Sequence, residues 1–381
     1  MAKNPHFYPI ILAGGRGTRF WPLSRKRRAK QLLALDDKQT MIQQTVARLA
    51  PIAAPNRFWV ITNGDLRPAI LRQLPKLPSK QIIAEPVGRN TAPAIGLAAF
   101  LLLRQDPDAV LGLFPSDLVI AEPAQYRATL SAGIEIAAAG DSIVVLGIRP
   151  TRPETGYGYI EAGLSEARSL EAAAPDHQGT LPLRVRRFTE KPDLARARQF
   201  LDAGNYFWNS GMFLWRADTL TNALREHLPN TAKLLEKTAA AYGTRKFADT
   251  FRKLYPQCEN ISIDYAVLEP RSAKGEGQSH IFCLPSDFGW NDLGSWTALH
   301  EHQVAKAKPA DGSLVSASGS FALNAKNNYV HVPGKFVALV GVSNLVIVET
   351  EDALLITTLD QSQDVGKVVK YLDEKKLKKL V

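Results

Sequence analysis

With 381 residues the chain exceeds one ordinary small core and has room for a large α/β domain with a smaller companion. Hydrophobic residues at 45% and charged residues at 22% are ordinary for a globular protein and argue against disorder. A formal net charge of +10 would suit a polyanionic partner, but no aromatic-interleaved recognition motif accompanies it, so no nucleic-acid partner is expected.

The basic residues gather in Arg25–Lys30, read as a site for polyanionic small molecules, and in Lys375–Lys379, read as a solvated helix end. Cys258 and Cys283 form no CxxC pair and no metal cluster, which points to two buried thiols in a reducing compartment. The longest apolar run, Ala94–Leu103, is about half of what a bilayer span needs. The N-terminal apolar run leads into a glycine loop rather than a cleavage site. A cytoplasmic protein with no membrane partner is expected.

In chain order, Tyr8–Leu12, Phe58–Ile61, Gln81–Ile83, Val110–Phe114 and Ser142–Gly147 read as buried strands. Met41–Leu49, Pro68–Leu74, Ala92–Leu103 and Ala124–Ala139 carry helical periodicity between them. Such alternation predicts a parallel sheet with helices on both faces and ligands at the C-terminal ends of the strands. Past Pro150 a mixed region follows, with strands at Tyr157–Glu161 and Leu183–Phe188 and helices at Ala217–Leu228 and Thr231–Tyr242. After Pro309, glycines punctuate short strands at Asn328–Val332, Phe336–Val340 and Leu345–Glu349, before a lysine-rich helix from Gln363. The expected division is a catalytic domain over 1–305 and a small β-rich domain over 306–381.

Directly after the first strand comes Leu12-Ala13-Gly14-Gly15-Arg16-Gly17-Thr18-Arg19, where glycines let backbone N–H groups approach phosphate oxygens. It is neither GxxxxGK[ST] nor GxGxxG, since Phe20 stands at the third glycine position. Arg19 and Lys30 add two cations that can offset charge on a leaving pyrophosphate. A tight turn with a solvated basic face is the competing reading. Glu85-Pro86-Val87-Gly88-Arg89-Asn90-Thr91-Ala92-Pro93 bridges a strand and a helix; Thr91 as N-cap and Pro93 in the first turn account for part of it, but not for Glu85, Arg89 or Asn90. A carboxylate such as Glu85 can accept hydrogen bonds from a ligand's N–H groups. Ser116-Asp117 closes an apolar strand, where a carboxylate is placed to hold Mg²⁺, and Asp292 sits in a tight aromatic-flanked turn. Each aspartate alone reads equally as a cap or turn residue.

The stretch LAGGRGTRFWPLSR…KQLL resembles the signature of the sugar nucleotidyltransferases, and among them the mannose-1-phosphate guanylyltransferases. The resemblance continues through EPVGRNTAP, PSD, TGYGYI, FTEKP, NSGMF, SIDYAV, WNDLGS and SQDV, so it spans essentially the whole chain. It implies a Rossmann-like α/β nucleotide-diphosphosugar transferase domain and a C-terminal left-handed β-helix-like domain. It assigns the triphosphate to Leu12, Ala13, Gly14, Gly15, Gly17 and Thr18, with Arg19 and Lys30 on its phosphates. Glu85, Arg89, Asn90 and Ser116 fall on the nucleotide side, Asp117 and Asp292 hold Mg²⁺, and Gly158, Glu190, Lys191, Asn209 and Asp264 bind the sugar phosphate. Two positions depart from the usual pattern. Ala29 replaces a proline, which would loosen Lys30 slightly, and Leu118 replaces a histidine, removing a partner behind the metal ligand.

The implied reaction is transfer of GMP from GTP to mannose 1-phosphate by in-line attack at the α-phosphorus. The alternatives are the same chemistry with a heptose or glucose 1-phosphate or another nucleotide, and a catalytically silent regulatory relative. The resemblance also makes the β-rich domain a candidate homodimer surface. Some relatives carry a further cupin-type isomerase domain; that activity is not expected in a chain ending at Val381.

Overall fold

The computed structural model describes residues 4–163 and 181–381. Its main sheet combines nine strands: β1 (Phe7–Leu12), β2 (Trp59–Asn63), β3 (Ile82–Glu85), β4 (Val110–Pro115), β6 (Ile143–Ile148), β7 (Tyr159–Ala162), β8 (Leu183–Thr189), β9 (Tyr206–Arg216) and β10 (Ile281–Ser286). They run in the order β3-β2-β1-β4-β9-β6-β10-β8-β7. β1 to β4 pair in parallel, as do β6 and β10. The near-continuous apolar runs of β1 and β4 follow from burial on both faces.

Helix Thr91–Leu103 is apolar on every side because it lies between the sheet and helices Ala217–His227 and Pro229–Ala241. A Cβ on its Gly96 would fall 2.7 Å from Leu224 Cδ1 and 2.8 Å from Leu235 Cδ1, so glycine permits that close packing. Helices Met41–Leu49 and Pro123–Ala138 cover the opposite face.

Three sequence expectations shift. The helix cap is Asn90, whose side chain accepts from Thr91 N–H, while the Thr91 hydroxyl accepts from Ile263 N–H across the cavity wall. β9 was not expected at all, yet it lies mid-sheet, antiparallel to both β4 and β6. The expected strands Asn328–Val332 and Phe336–Val340 merge into one, β13 (Tyr329–Val340), which continues past Gly334 across a register shift against its neighbour.

β13 stands in a second sheet with β12 (Leu314–Leu323), β14 (Leu345–Glu349) and β15 (Leu354–Thr358). The first three are mutually parallel and β15 is antiparallel. Helix Trp296–Ala307 leads into this sheet, and helix Val365–Glu374 returns to pack against the turn Thr18–Phe20. One apolar cluster bridges the two parts: Phe20, Trp21 and Trp296 pack with Val346, Val348, Val365 and Leu372. Cys258 and Cys283 are free and buried, as expected, and burial raises both thiol pKa values.

Candidate active site

The loop after β1 turns its carbonyls inward. Ala13 O accepts from Gln31 Nε2 at 3.1 Å and Thr62 Oγ1 at 2.8 Å, Gly15 O from Gln31 Nε2 at 3.0 Å, and Gly17 O from Ser24 Oγ at 2.7 Å. Among the described residues, the amides of Gly14, Gly15, Arg16 and Gly17 donate no hydrogen bond within the chain. The loop thus presents a run of free N–H donors, an anion-binding concavity. Gly17 has φ 61°, and a Cβ there would lie 2.3 Å from Lys30 Cβ. Glycine at this position is what lets Lys30 pass beneath the loop.

Lys30 is buried, and its ammonium bonds Asp117 O at 2.9 Å, Asp117 Oδ2 at 3.1 Å and Asp292 O at 2.5 Å. The two aspartates meet through a two-stranded ribbon. β5 (Val119–Ile120) pairs antiparallel with β11 (Trp290–Asn291), Asn291 opposite Val119, which carries Asp292 to the end of β4. Asn291 Oδ1 and Asp292 Oδ1 then accept from Leu293 N–H and Gly294 N–H, closing the turn. Ala29 keeps φ −67°, the value a proline would impose, so the missing ring leaves the Lys30 turn in place. Leu118 packs into the core.

Asp117 and Asp292 line one cavity of about 310 Å³ together with Leu12, Arg19, Lys30, Gly158, Glu190, Asn209 and Asp264. On its far side a Cβ on Gly158 would fall 2.4 Å from Glu190 Oε2, so this glycine makes room for the carboxylate. Glu190 Oε1 accepts from Lys191 Nζ at 2.5 Å, and Asn209 Nδ2 donates to Asp264 Oδ1 at 3.0 Å. Burial, then the neighbouring Glu190 charge, raises the Asp264 pKa to about 6. Burial opposes charge on Lys191, but the Glu190 carboxylate outweighs it and the ammonium pKa is raised.

Glu85, at the end of β3, lies against the glycine loop: its Oε2 is 3.7 Å from where a Gly14 Cβ would stand. Burial lifts its pKa to about 6 although the Tyr255 hydroxyl donates to it at 2.5 Å. It borders a second cavity of about 940 Å³ with Pro86, Val87, Gly88 and the rings of Tyr242, Phe247 and Phe251.

Three expected residues are engaged elsewhere. Arg89 donates to the Pro256 carbonyl, Asn90 caps its helix, and the Ser116 hydroxyl donates to Leu12 O at 2.8 Å, fastening β4 to β1. Nor is Arg25–Lys30 one basic face. Arg25 holds the C-terminal Leu380 carbonyl and Asp352, Lys26 pairs with Asp65, and Lys30 is buried.

Sequence reasoning passed over Gln31 and Tyr157 as site residues, although both lie inside quoted motifs. Burial, and then the nearby Asp292 charge, pushes the Tyr157 phenol pKa up, and its ring packs edge-on to Trp208 and Trp290. Tyr255 had no local signal at all.

Two carboxylates offering only oxygen suit a hard divalent cation, and the Lys30 ammonium lodged between their loops marks the spot as one that accommodates positive charge. Among the described residues, the triad His6, Asp106 and Asp108 also brings metal-type ligands together. It lies at the N-terminal ends of β1 and β4, opposite the cavity, and Asp106 there serves Tyr8, His6 and Arg57.

The profile of the nucleotidyl transferase family matches residues 8–308. The chain belongs to that family. Residues 320–372 match the mannose-phosphate isomerase/GMP-like β-helix domain, which identifies the second sheet as a β-helix-like domain. The chain is 39% identical over 375 residues to a putative mannose-1-phosphate guanylyltransferase of Vibrio cholerae, covering 96% of this chain and 74% of that protein. It is 39% identical over 370 residues to a mannose-1-phosphate guanylyltransferase of Salmonella muenchen, covering 96% and 73%. A crystal structure from Thermus thermophilus, described as a mannose-1-phosphate geranyltransferase, superposes with a TM-score of 0.81 at 31% identity, over 97% of this chain and 99% of that one. Among the described residues no helix is long and apolar enough to cross a membrane.

Proposed function

We propose that this protein transfers GMP from GTP to mannose 1-phosphate, releasing pyrophosphate, as a cytoplasmic enzyme. The observation that carries the reading is one cavity lined by Leu12 and Arg19, which flank the glycine loop, by Lys30, by Asp117 and Asp292, and by Glu190, Asn209 and Asp264. The names of its relatives supply the substrate pair.

The attacking phosphate oxygen is already anionic, so no general base is required. The work of the chain is to align the two phosphates and offset charge. Free amides of the glycine loop would take the triphosphate oxygens, with Arg19 and Lys30 on the β and γ groups. Glu85 would read the guanine edge. Lys191 would hold the sugar phosphate, while Glu190, Asn209 and Asp264 accept from or donate to the hexose hydroxyls. Asp117 and Asp292 would hold Mg²⁺, which supplies Lewis-acid charge neutralisation at the reacting phosphates. Tyr157, beside Asp292 and lining the same cavity, would help orient that carboxylate. We assign catalysis to residues 1–305 and assembly to 306–381, where Phe321, Phe336, Val340 and Ile356 expose apolar surface suited to a second copy.

A pyrophosphate-release assay with GTP and mannose 1-phosphate, with and without Mg²⁺, tests the reading. Metal-dependent release is expected, with glucose and heptose 1-phosphates and other nucleotides turned over more slowly. Release from none of these pairs would reduce the protein to a silent relative.

A further inference from the structure

A short turn of the β-helix-like domain, Ser362–Asp364, touches both Arg19, at the end of the glycine loop, and the helix that follows the Asp292 loop. Ser362 is buried, and its hydroxyl shares a 2.6 Å hydrogen bond with Thr297 Oγ1, in the first turn of the helix that follows the Asp292 loop. The next residue, Gln363, accepts through Oε1 from Arg19 Nη1 at 2.8 Å. Beyond it the C-terminal helix lies along the Arg19 stem: a Cβ on Gly366 would stand 3.6 Å from Thr18 Oγ1 and 3.8 Å from Arg19 Cγ. On its other side the Arg19 guanidinium faces the Asp292 loop, Nη1 being 3.5 Å from where a Gly294 Cβ would be.

The chemistry of the acceptor is informative. Lys30, the other cation lining the cavity, is matched to the Asp117 carboxylate, as Arg16 and Arg25 of the same N-terminal segment are to Asp373 and Asp352 and Lys191 is to Glu190. Among the described residues Arg19 has no ion pair; its acceptor is a neutral amide. An amide oxygen restricts the rotamers of a long side chain as a carboxylate would, but it leaves the guanidinium's full charge for an incoming phosphate. A carboxylate would also repel that phosphate.

We propose that Gln363 is a positioning residue for Arg19, so that the β-helix-like domain completes the phosphate site of the catalytic domain. This rests on the phosphate role given above to Arg19.

The test compares Gln363→Met, which removes the acceptor at similar length, with Gln363→Glu, which keeps an acceptor and adds charge. Gln363 is exposed, so both variants should fold with unchanged melting temperatures. Each is expected to raise the KM for GTP, and for pyrophosphate in the reverse direction, about tenfold while leaving the KM for the sugar phosphate alone. In an Arg19→Met background the Gln363→Met change should add nothing. Wild-type KM values for GTP and pyrophosphate in Gln363→Met, or an equal loss in both backgrounds, would overturn the assignment. Calorimetric titration with GTP alone separates this from the reaction itself. Weaker GTP binding by Gln363→Met in a protein that releases no pyrophosphate would uphold the positioning role and sink the proposed activity.

Discussion

On the proposed nucleotide side the chain offers main-chain amides, and its cations are held in place by oxygen partners from distant segments. On the proposed sugar side it offers carboxylates, Glu190 and Asp264, crowded together behind a glycine. The contrast follows from what each half would bind. Phosphates call for donors and positive charge, which backbone and lysine supply. Hydroxyls call for acceptors, which the carboxylates supply. Each half therefore has its own point of failure: geometry of the backbone on one side, electrostatic crowding on the other.

The two halves meet at Asp292, and its loss should be the most severe. Asp292→Asn keeps the turn, since its amide oxygen can still accept from Gly294 N–H. Turnover is expected to fall by roughly 100- to 1,000-fold with circular dichroism and melting unchanged. Near-normal turnover would remove Asp292 from metal binding and dissolve the comparison.

On the nucleotide side, Lys30→Met should damage both activity and fold. It strips a buried cation from Asp117 Oδ2 and from the carbonyls of Asp117 and Asp292. Since the Asp117 carboxylate remains in contact with water, urea denaturation should show a loss of roughly 2–3 kcal/mol rather than the larger cost of a fully buried broken pair.

Gly17→Ala probes the same half through backbone alone. The added methyl meets Lys30 Cβ at 2.3 Å and sits on a residue at positive φ, so about 1–3 kcal/mol of stability should go, together with GTP affinity. Gly15→Ala is the control: nothing lies within 4 Å of its Cβ. Equal losses in both variants would mean that the loop is merely intolerant of side chains.

Local patterns foretold much of this architecture. Helix Met41–Leu49 and strand β14 fall where periodicity put them, because each buries a regular face. β9 escaped notice because Asn209-Ser210-Gly211 reads as a turn. Gly211 does take φ 74°, but within a strand, opposite a register shift between Val145 and Gly147. Gly334 misled in the other direction: it falls in a register shift against β12, between Val332 and Phe336, and the strand resumes beyond it instead of turning. Within the site, motifs named the residues but not their partners. That Asp117 and Asp292 adjoin depends on a ribbon of two residues per strand between segments about 170 positions apart, a tertiary fact with no local trace. Asn90 and Ser116 show the converse: residues inside a functional motif whose side chains hold the scaffold.

The sugar side yields the smallest effect and one of opposite sign. Asp264 has its pKa raised from 3.8 to about 6, chiefly by burial and secondly by Glu190. Between these values the folded protein binds more protons at this site than the unfolded chain does, so this group's contribution to stability falls as pH rises from about 4 to 6 and stays lost above. Asp264→Asn keeps the shape and an oxygen for Asn209 Nδ2 while removing the charge. At pH 7.5 the variant should be more stable by about 1–2 kcal/mol, a gain that vanishes near pH 4, while its KM for the sugar phosphate rises. Urea denaturation of both proteins across that pH range reads the difference directly. A variant less stable at pH 7.5 would mean that Lys191 and Asn209 fully offset the buried charge, and that the crowding of carboxylates on this side carries no strain.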